Sequence, residues 1–170
     1  SLNHVAYCVL GIGAIGAAIK LAPGDLPLDA RALVTQGIIL QMFAHGIAAA
    51  GLFYLVGLLE TRTGSRGLAD FGGLSAVTPR FAAAFFLLTF CSLGLPFMAG
   101  FAAEFLIFSG SFAVAPGVTA VATVGLLATA VFLLTMLQKI FTGSTPERHQ
   151  VMVDLSLRET LIVIPLLILV

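Results

Sequence analysis

Charge is scarce in this chain. Only 9% of its 170 residues are Asp, Glu, Lys or Arg, against about 25% in ordinary soluble domains. With 59% hydrophobic residues and a mean hydropathy of +1.12, the shortfall excludes a soluble protein with a large core and points to a polytopic membrane protein. The formal net charge is zero and no basic run occurs, which argues against a nucleic-acid partner. The two cysteines, Cys8 and Cys91, lie in apolar runs without C-x-x-C spacing, and read as buried free thiols. No nucleotide loop, metal cluster or catalytic triad is present. Gly11-Ile12-Gly13 has no strand before it, so it reads as a small-residue site for close helix packing rather than a dinucleotide fingerprint. The chain opens at Ser1 without an initiator Met or a charged leader, and stops at Val170 within an apolar run. Both ends look cut relative to their helices, as in a fragment or one piece of a subunit encoded in parts.

What is there is a series of apolar spans. A membrane helix needs about 20 apolar residues. The first span runs from about His4 to Ile19, and the Pro23–Pro27 stretch breaks the chain. A second runs from about Ala32 to Leu59, followed by a polar loop from Glu60 to Pro79. The third apolar run, Phe81 to Phe112, would be about 48 Å long as one straight helix, whereas the hydrocarbon core is about 30 Å thick. Gly94-Leu95-Pro96 breaks it and Gly100 loosens it again. The expectation is two half-helices, Phe81 to Leu93 and Gly100 to Phe112. A fourth span covers Gly117 to Phe141, and a last segment begins at Asp154, with Asp154 or Ser156 as its cap. The fold class is thus all-α: one membrane domain over residues 1–170, a helix bundle of about four spans plus the start of a fifth, with one discontinuous helix. Lys20 and Arg31 lie on one side of it and Arg62, Arg66, Arg80, Lys139, Arg148 and Arg158 on the other, which places the second set on the cytoplasmic or matrix side.

Glu104 is the sole acidic residue inside these apolar spans. An ionisable group at membrane depth costs roughly 2.5–3.5 kcal/mol on insertion scales, so a chain that keeps one has a use for its charge. The expected position is the first turns of the second half-helix, where the helix dipole favours a carboxylate. His4 and His45 also lie at membrane depth, and the three together point to a proton or ion path. Gln41 shares a helix face with His45, and Thr35 and Gln36 lie about two turns earlier. Interhelical polar glue and membership of the path both remain open for these residues. Tyr7, Thr89, Ser92, Thr123 and Thr129 offer hydroxyls to the same two readings, and His149 reads as solvated in a polar loop.

These residues form a pattern. Gln36-Gly37-Ile38-Ile39-Leu40-Gln41-Met42-Phe43-Ala44-His45-Gly46, with Leu52-Phe53 and Gly57, resembles the histidine-bearing helix of antiporter-like subunits of respiratory complex I. Glu60-Thr61-Arg62, Gly72-Gly73-Leu74, Gly94-Leu95-Pro96 through Gly100 to Glu104, and Asp154 to Glu159 continue the likeness over nearly the whole chain. Glutamate rather than lysine on the broken helix resembles the M-type, or subunit 4, members of that family, the NADH dehydrogenase (ubiquinone) chains. Asn3, Val5 and the long Ala17–Ala30 connection depart from the pattern.

The resemblance implies that Glu104 is the terminal proton carrier of a second half-channel, fed by His45 and His4 along a hydrated axis. Gln41 and Gln36 would support it, and Gly94, Pro96 and Gly100 would make the helix break. No cofactor is implied in this chain. FMN, iron–sulfur clusters and ubiquinone belong to the assembly. Expected partners are other membrane-arm subunits, including a chain bearing the upstream helices, and the lipid bilayer. The implied site is the mitochondrial inner membrane, or alternatively a bacterial plasma membrane. A multisubunit cation/proton antiporter, a membrane-bound hydrogenase, and a fragment that only completes a membrane arm are the competing readings.

Overall fold

The computed structural model describes residues 1–21 and 28–170. The expected break at Pro23–Pro27 lies outside them. Among the described residues are seven α-helices: α1 Leu2–Leu21, α2 Leu28–Thr63, α3 Leu74–Val77, α4 Pro79–Ser92, α5 Ala99–Phe112, α6 Pro116–Phe141 and α7 Leu157–Ile168. No strand occurs among them. Within α1, α2 and α6, the segments Leu2–Lys20, Ala30–Thr63 and Pro116–Phe141 are long and apolar enough to cross a membrane. The expected half-helices are α4 and α5, each 14 residues, or about 21 Å.

Two boundaries move. The second helix continues through Glu60 and Arg62 to Thr63, where Gly64, with φ +70°, turns the chain out of it. The fourth starts at Pro79, whose missing N–H costs nothing in a first turn.

The chain divides into two compact units, residues 1–46 with 91–130, and residues 47–90 with 131–170. In the first, α1 packs on α5 and α2 lies against both through small residues. A Cβ on Gly11 would stand 2.8 Å from Val34, and one on Gly37 would stand 2.8 Å from the Ile107 backbone nitrogen. The helices therefore approach at backbone distance, the geometry small residues permit in apolar surroundings. The packing role expected of Gly11-Ile12-Gly13 belongs to Gly11; Gly13 faces open space. Cys91 is buried, as expected of a structural thiol, and Cys8 is half-buried.

The second unit holds an apolar core of Leu55, Leu59, Leu74, Phe81, Phe85, Leu88, Phe141 and neighbours, with the Phe81, Phe85 and Phe141 rings in mutual contact. Its polar segments are tied to one another. Gly73 N–H donates to the Thr142 carbonyl at 2.9 Å and Thr145 Oγ1 donates to the Gly73 carbonyl at 3.0 Å. Arg62 pairs with Glu159 at 2.6 Å. Arg148 pairs with Asp70, and the Ser65 hydroxyl together with Arg148 holds the Asp70 carboxyl below the usual carboxylate range.

The two expected caps divide between helices. Ser156 caps α7, in a reciprocal box with Glu159. Asp154 instead accepts from the Arg80 and Phe81 amides, each at 2.9 Å, and so caps α4. His149 is not solvated: it is buried and stacked on Phe71, ring centres 5.6 Å apart, and burial pushes its imidazole below the usual range.

Two outcomes follow for stability in detergent. Asp154→Ala leaves two first-turn amides of α4 without an acceptor and lowers unfolding stability by about 0.5–2 kcal/mol, with Asp154→Asn retaining more of it. Gly37→Val forces side-chain atoms against the α5 backbone and costs about 1–3 kcal/mol. Thermal unfolding of the purified assembly measures both, and unchanged midpoints would refute the respective contacts.

Candidate functional site

The break itself builds the site. Pro96 has no amide hydrogen and fixes its own φ, so α4 cannot run on through it. The chain turns at Gly94, with φ +67°, and at Phe97, with φ +75°, a left-handed conformation that costs a non-glycine residue roughly 1–3 kcal/mol. Gly94 N–H returns to the Cys91 carbonyl at 3.1 Å. Gly100 lies so close over the Cys91 carbonyl that a Cβ there would collide with it. The last turn of α4 leaves carbonyls without intrahelical donors, and Ser92 is one of them.

His4 of α1 takes that carbonyl: its Nε2 lies 2.9 Å from the Ser92 oxygen. The same Nε2 is 3.6 Å from Glu104 Oε1. His4 also stacks on His45 of α2, with ring centres 4.8 Å apart and planes at 27°, and meets the Tyr7 ring edge-on at 6.0 Å. Glu104 is 7% exposed and His4 5%. A Cβ on Gly94 would run into the Glu104 carboxylate, so that side chain folds back against the turn.

The expected dipole explanation for Glu104 does not hold. It is the sixth residue of α5, in the second turn, whereas the effect fades beyond the first. Its surroundings are instead the Gly94 turn and the His4 ring.

The structure thus brings Glu104, His4 and His45 together with the break at Gly94, Pro96 and Gly100. Gln41 is on the buried face of α2, 2% exposed. Gln36 and Thr35 are exposed on the other side of that helix, and the Thr35 hydroxyl donates to the Arg31 carbonyl, so the support expected of Gln36 is not seen. Of the hydroxyls, Thr89 donates to Phe85 within its own helix and Thr123 to Ala120. Thr129 accepts from Asn3 Nδ2 at 2.7 Å, and that amide also donates to the Gly125 carbonyl. Asn3 was not among the expected site residues. Its contact ties α1 to α6 one residue from His4, and its one signal in the sequence was that it departs from the family pattern.

Six buried polar atoms in this unit have no hydrogen-bond partner among the described residues: His4 Nδ1, Tyr7 Oη, Arg31 Nε, Gln41 Oε1, His45 Nδ1 and Ser111 Oγ. Buried polar groups are generally satisfied, by protein or by ordered water. Such a set is chemically fit to line a short hydrated path ending at a carboxylate. Among the described residues no cluster of three or more His, Cys, Asp or Glu could hold a metal ion.

The chain is similar to known proteins of one family. Residues 30–131 match the family described as NADH:quinone oxidoreductase/Mrp antiporter, transmembrane. The chain is 32% identical over 177 residues to NAD(P)H-quinone oxidoreductase chain 4 2 of Thermosynechococcus vestitus, covering 99% of this chain and 30% of that protein. It is 37% identical over 137 residues to NADH-quinone oxidoreductase subunit M of Mycobacterium tuberculosis, covering 78% and 24%, and 36% identical over 139 residues to that of Escherichia coli, covering 81% and 27%. It superposes on a chain of respiratory complex I from Thermus thermophilus with a TM-score of 0.76 and 29% identity, covering 98% of this chain and 32% of that one. The chain therefore spans about 30% or less of the length of these curated relatives. It belongs to the NADH:quinone oxidoreductase/Mrp antiporter family of transmembrane proteins.

Proposed function

We propose that this chain is part of a membrane-arm subunit of an NADH:quinone oxidoreductase, where it carries the exit half of a proton path ending at Glu104. The observation that carries the reading is the contact set at the helix break: a buried carboxylate 3.6 Å from a buried histidine, that histidine stacked on a second one, and unpartnered polar atoms around them. In this reading His45 and His4 relay protons, Glu104 loads and releases them, and Gln41 lines the path. The quinone-oxidoreductase names of the relatives support the assembly, and the pairing of Arg62 with Glu159 joins two of the motifs that resemble it.

The chain has no redox role of its own here. FMN, iron–sulfur clusters and quinone would belong to other subunits, and the chain's task is proton movement coupled to their chemistry. Its partners are other membrane-arm subunits and the remaining helices of a protein of the relatives' length. Its place is an energy-coupling membrane, a mitochondrial inner or a bacterial plasma membrane. Because the family also includes Mrp antiporters, cation/proton exchange without an electron donor is the second reading. Exchange driven by an imposed cation gradient, in the absence of NADH, would favour it.

Glu104→Gln keeps the shape but cannot release a proton. The expected outcome is a lower proton-to-electron ratio in an assembled complex, measured as acidification of vesicles per NADH oxidised, and a full ratio would refute the reading. Gly94→Ala adds a methyl group where the carboxylate lies, at a φ that L side chains rarely adopt. It should depress the coupled rate at least several-fold while NADH oxidation by the peripheral part continues. A coupled rate equal to wild type would show that the position of Glu104 against the turn is immaterial.

A further inference from the structure

His4 Nε2 faces two acceptors at once, the Ser92 carbonyl at 2.9 Å and Glu104 Oε1 at 3.6 Å. Only the first is at hydrogen-bond length. A carbonyl oxygen cannot donate, so this bond exists only while Nε2 carries a hydrogen. The other ring nitrogen, Nδ1, is buried and unpartnered, on a ring stacked against His45. We infer that the Ser92 carbonyl, freed by the helix break, is a tautomer lock on His4: it holds the hydrogen on Nε2, leaves Nδ1 as the basic atom, and so fixes the order in which a proton can pass to Glu104. The inference rests on the reading of Glu104 as a proton carrier and adds to it a positioning group that no side-chain comparison would reveal, because it is backbone.

The step balances as a pure proton relay. A proton arriving along the path bonds to the Nδ1 lone pair, giving an imidazolium. The Nε2–H bond then breaks, its electron pair stays on Nε2, and the proton bonds to a Glu104 carboxylate oxygen. One positive charge has entered the ring and left it, one negative charge on Glu104 is neutralised, and no electron changes hands. For this the Nε2–H must turn from the Ser92 oxygen towards Glu104 and close the 3.6 Å gap to hydrogen-bond length.

Afterwards the neutral ring carries its hydrogen on Nδ1. The bare Nε2 lone pair then faces the carbonyl lone pairs of Ser92, a repulsive contact. That state cannot wait: the ring recovers a hydrogen at Nε2 or turns away from the carbonyl. The groups facing His4 are Tyr7 from α1, His45 from α2, Glu104 from α5 and the Ser92 carbonyl of α4. Two imidazolium rings at stacking distance repel, so one proton at a time occupies the histidine pair.

The test uses the whole assembled complex. Histidine labelled with 15N, recorded as a difference between the native complex and His4→Gln at a pH where the ring is neutral, reports which nitrogen of His4 is protonated. The expected result is a protonated Nε2 and a bare Nδ1. A bare Nε2 overturns the lock and leaves the role of Glu104 standing, whereas full pumping by Glu104→Gln would overturn that role instead. A second measurement replaces Leu93 with its α-hydroxy analogue, which converts the Ser92 carbonyl into an ester, a weaker acceptor, with every side chain kept. Proton pumping should fall at least threefold and its pH profile should shift, with NADH oxidation unchanged. The same exchange at Leu88, inside α4, should leave the pH profile unmoved. An unaltered rate and profile with the ester at position 93, or an equal shift with the ester at 88, would overturn the inference.

Discussion

Backbone polar groups released in an apolar environment have to be met by something, and the helix break at Gly94–Pro96 releases several. Each unsatisfied group costs several kcal/mol in hydrocarbon. The remainder of the first unit can be read as the answer. His4 reaches the Ser92 carbonyl, Gly94 N–H returns to Cys91, and Gly100 lets α5 approach the Cys91 carbonyl more closely than any residue with a Cβ could. Gly37 and Gly110 then allow α2 to close against α5, so that the α5 side of the break is packed by protein while Leu95, Pro96 and Phe97 stay exposed. Glu104 sits in the turn this creates. The break and the carboxylate are therefore one feature: the same loosened backbone that needs donors makes the space in which an ionisable side chain can be kept.

Much of this was legible in the sequence because it follows from length and local chemistry. An apolar run too long for one span with Pro96 inside it can only be two half-helices, and α4 and α5 are those. What failed was facing. Gln36 and Gln41 are five residues apart, about 140° around a helix of 3.6 residues per turn, so both cannot share the face of His45. Gln41, four residues from His45, does. His149 lies in a polar segment, and nothing local announces that Phe71, nearly eighty residues earlier, stacks on it. Asp154 was readable as a cap, yet the helix it caps is α4, because its partners are set by tertiary packing. The Ser92 carbonyl was beyond reach for a simpler reason: every residue has one, and only coordinates tell which is free.

The second unit shows where the chain keeps its charges. Arg62 pairs with Glu159, Arg66 with Glu60 and Arg148 with Asp70, while Asp154 is held by backbone amides. Pairs as exposed as Arg66–Glu60 contribute little to stability, because solvent and salt screen them. Their neutralisation in the folded state does not cancel the orientation signal, since topology follows the distribution of Lys and Arg and acidic residues count for little. Arg62 and Glu159 are less exposed than the other two pairs, and Glu159 is also bound into the cap of α7, so this pair joins the end of α2 to the start of α7.

The magnitudes around Glu104 decide what kind of device this site can be. Ionising both His4 and Glu104 at membrane depth costs roughly 5–7 kcal/mol if each charge costs about 2.5–3.5. Two unit charges 3.6 Å apart attract by about 4–5 kcal/mol at an effective dielectric constant near 20. The two figures nearly cancel, which leaves the neutral pair and the ion pair within a few kcal/mol of each other. A balance that close needs no large rearrangement to tip. One further charge arriving about 10 Å away shifts each partner by about 1.7 kcal/mol at the same dielectric, favouring one charge and opposing the other. Its largest effect is thus on states in which only one of the two is ionised. A cation approaching from the α2 side would raise the cost of an imidazolium at His4 and lower that of a bare carboxylate at Glu104, which promotes release of the proton Glu104 holds. On the proposed role of Glu104 the site would respond to charge, and the small-residue packing of α1, α2 and α5 would keep its distances short enough for that response.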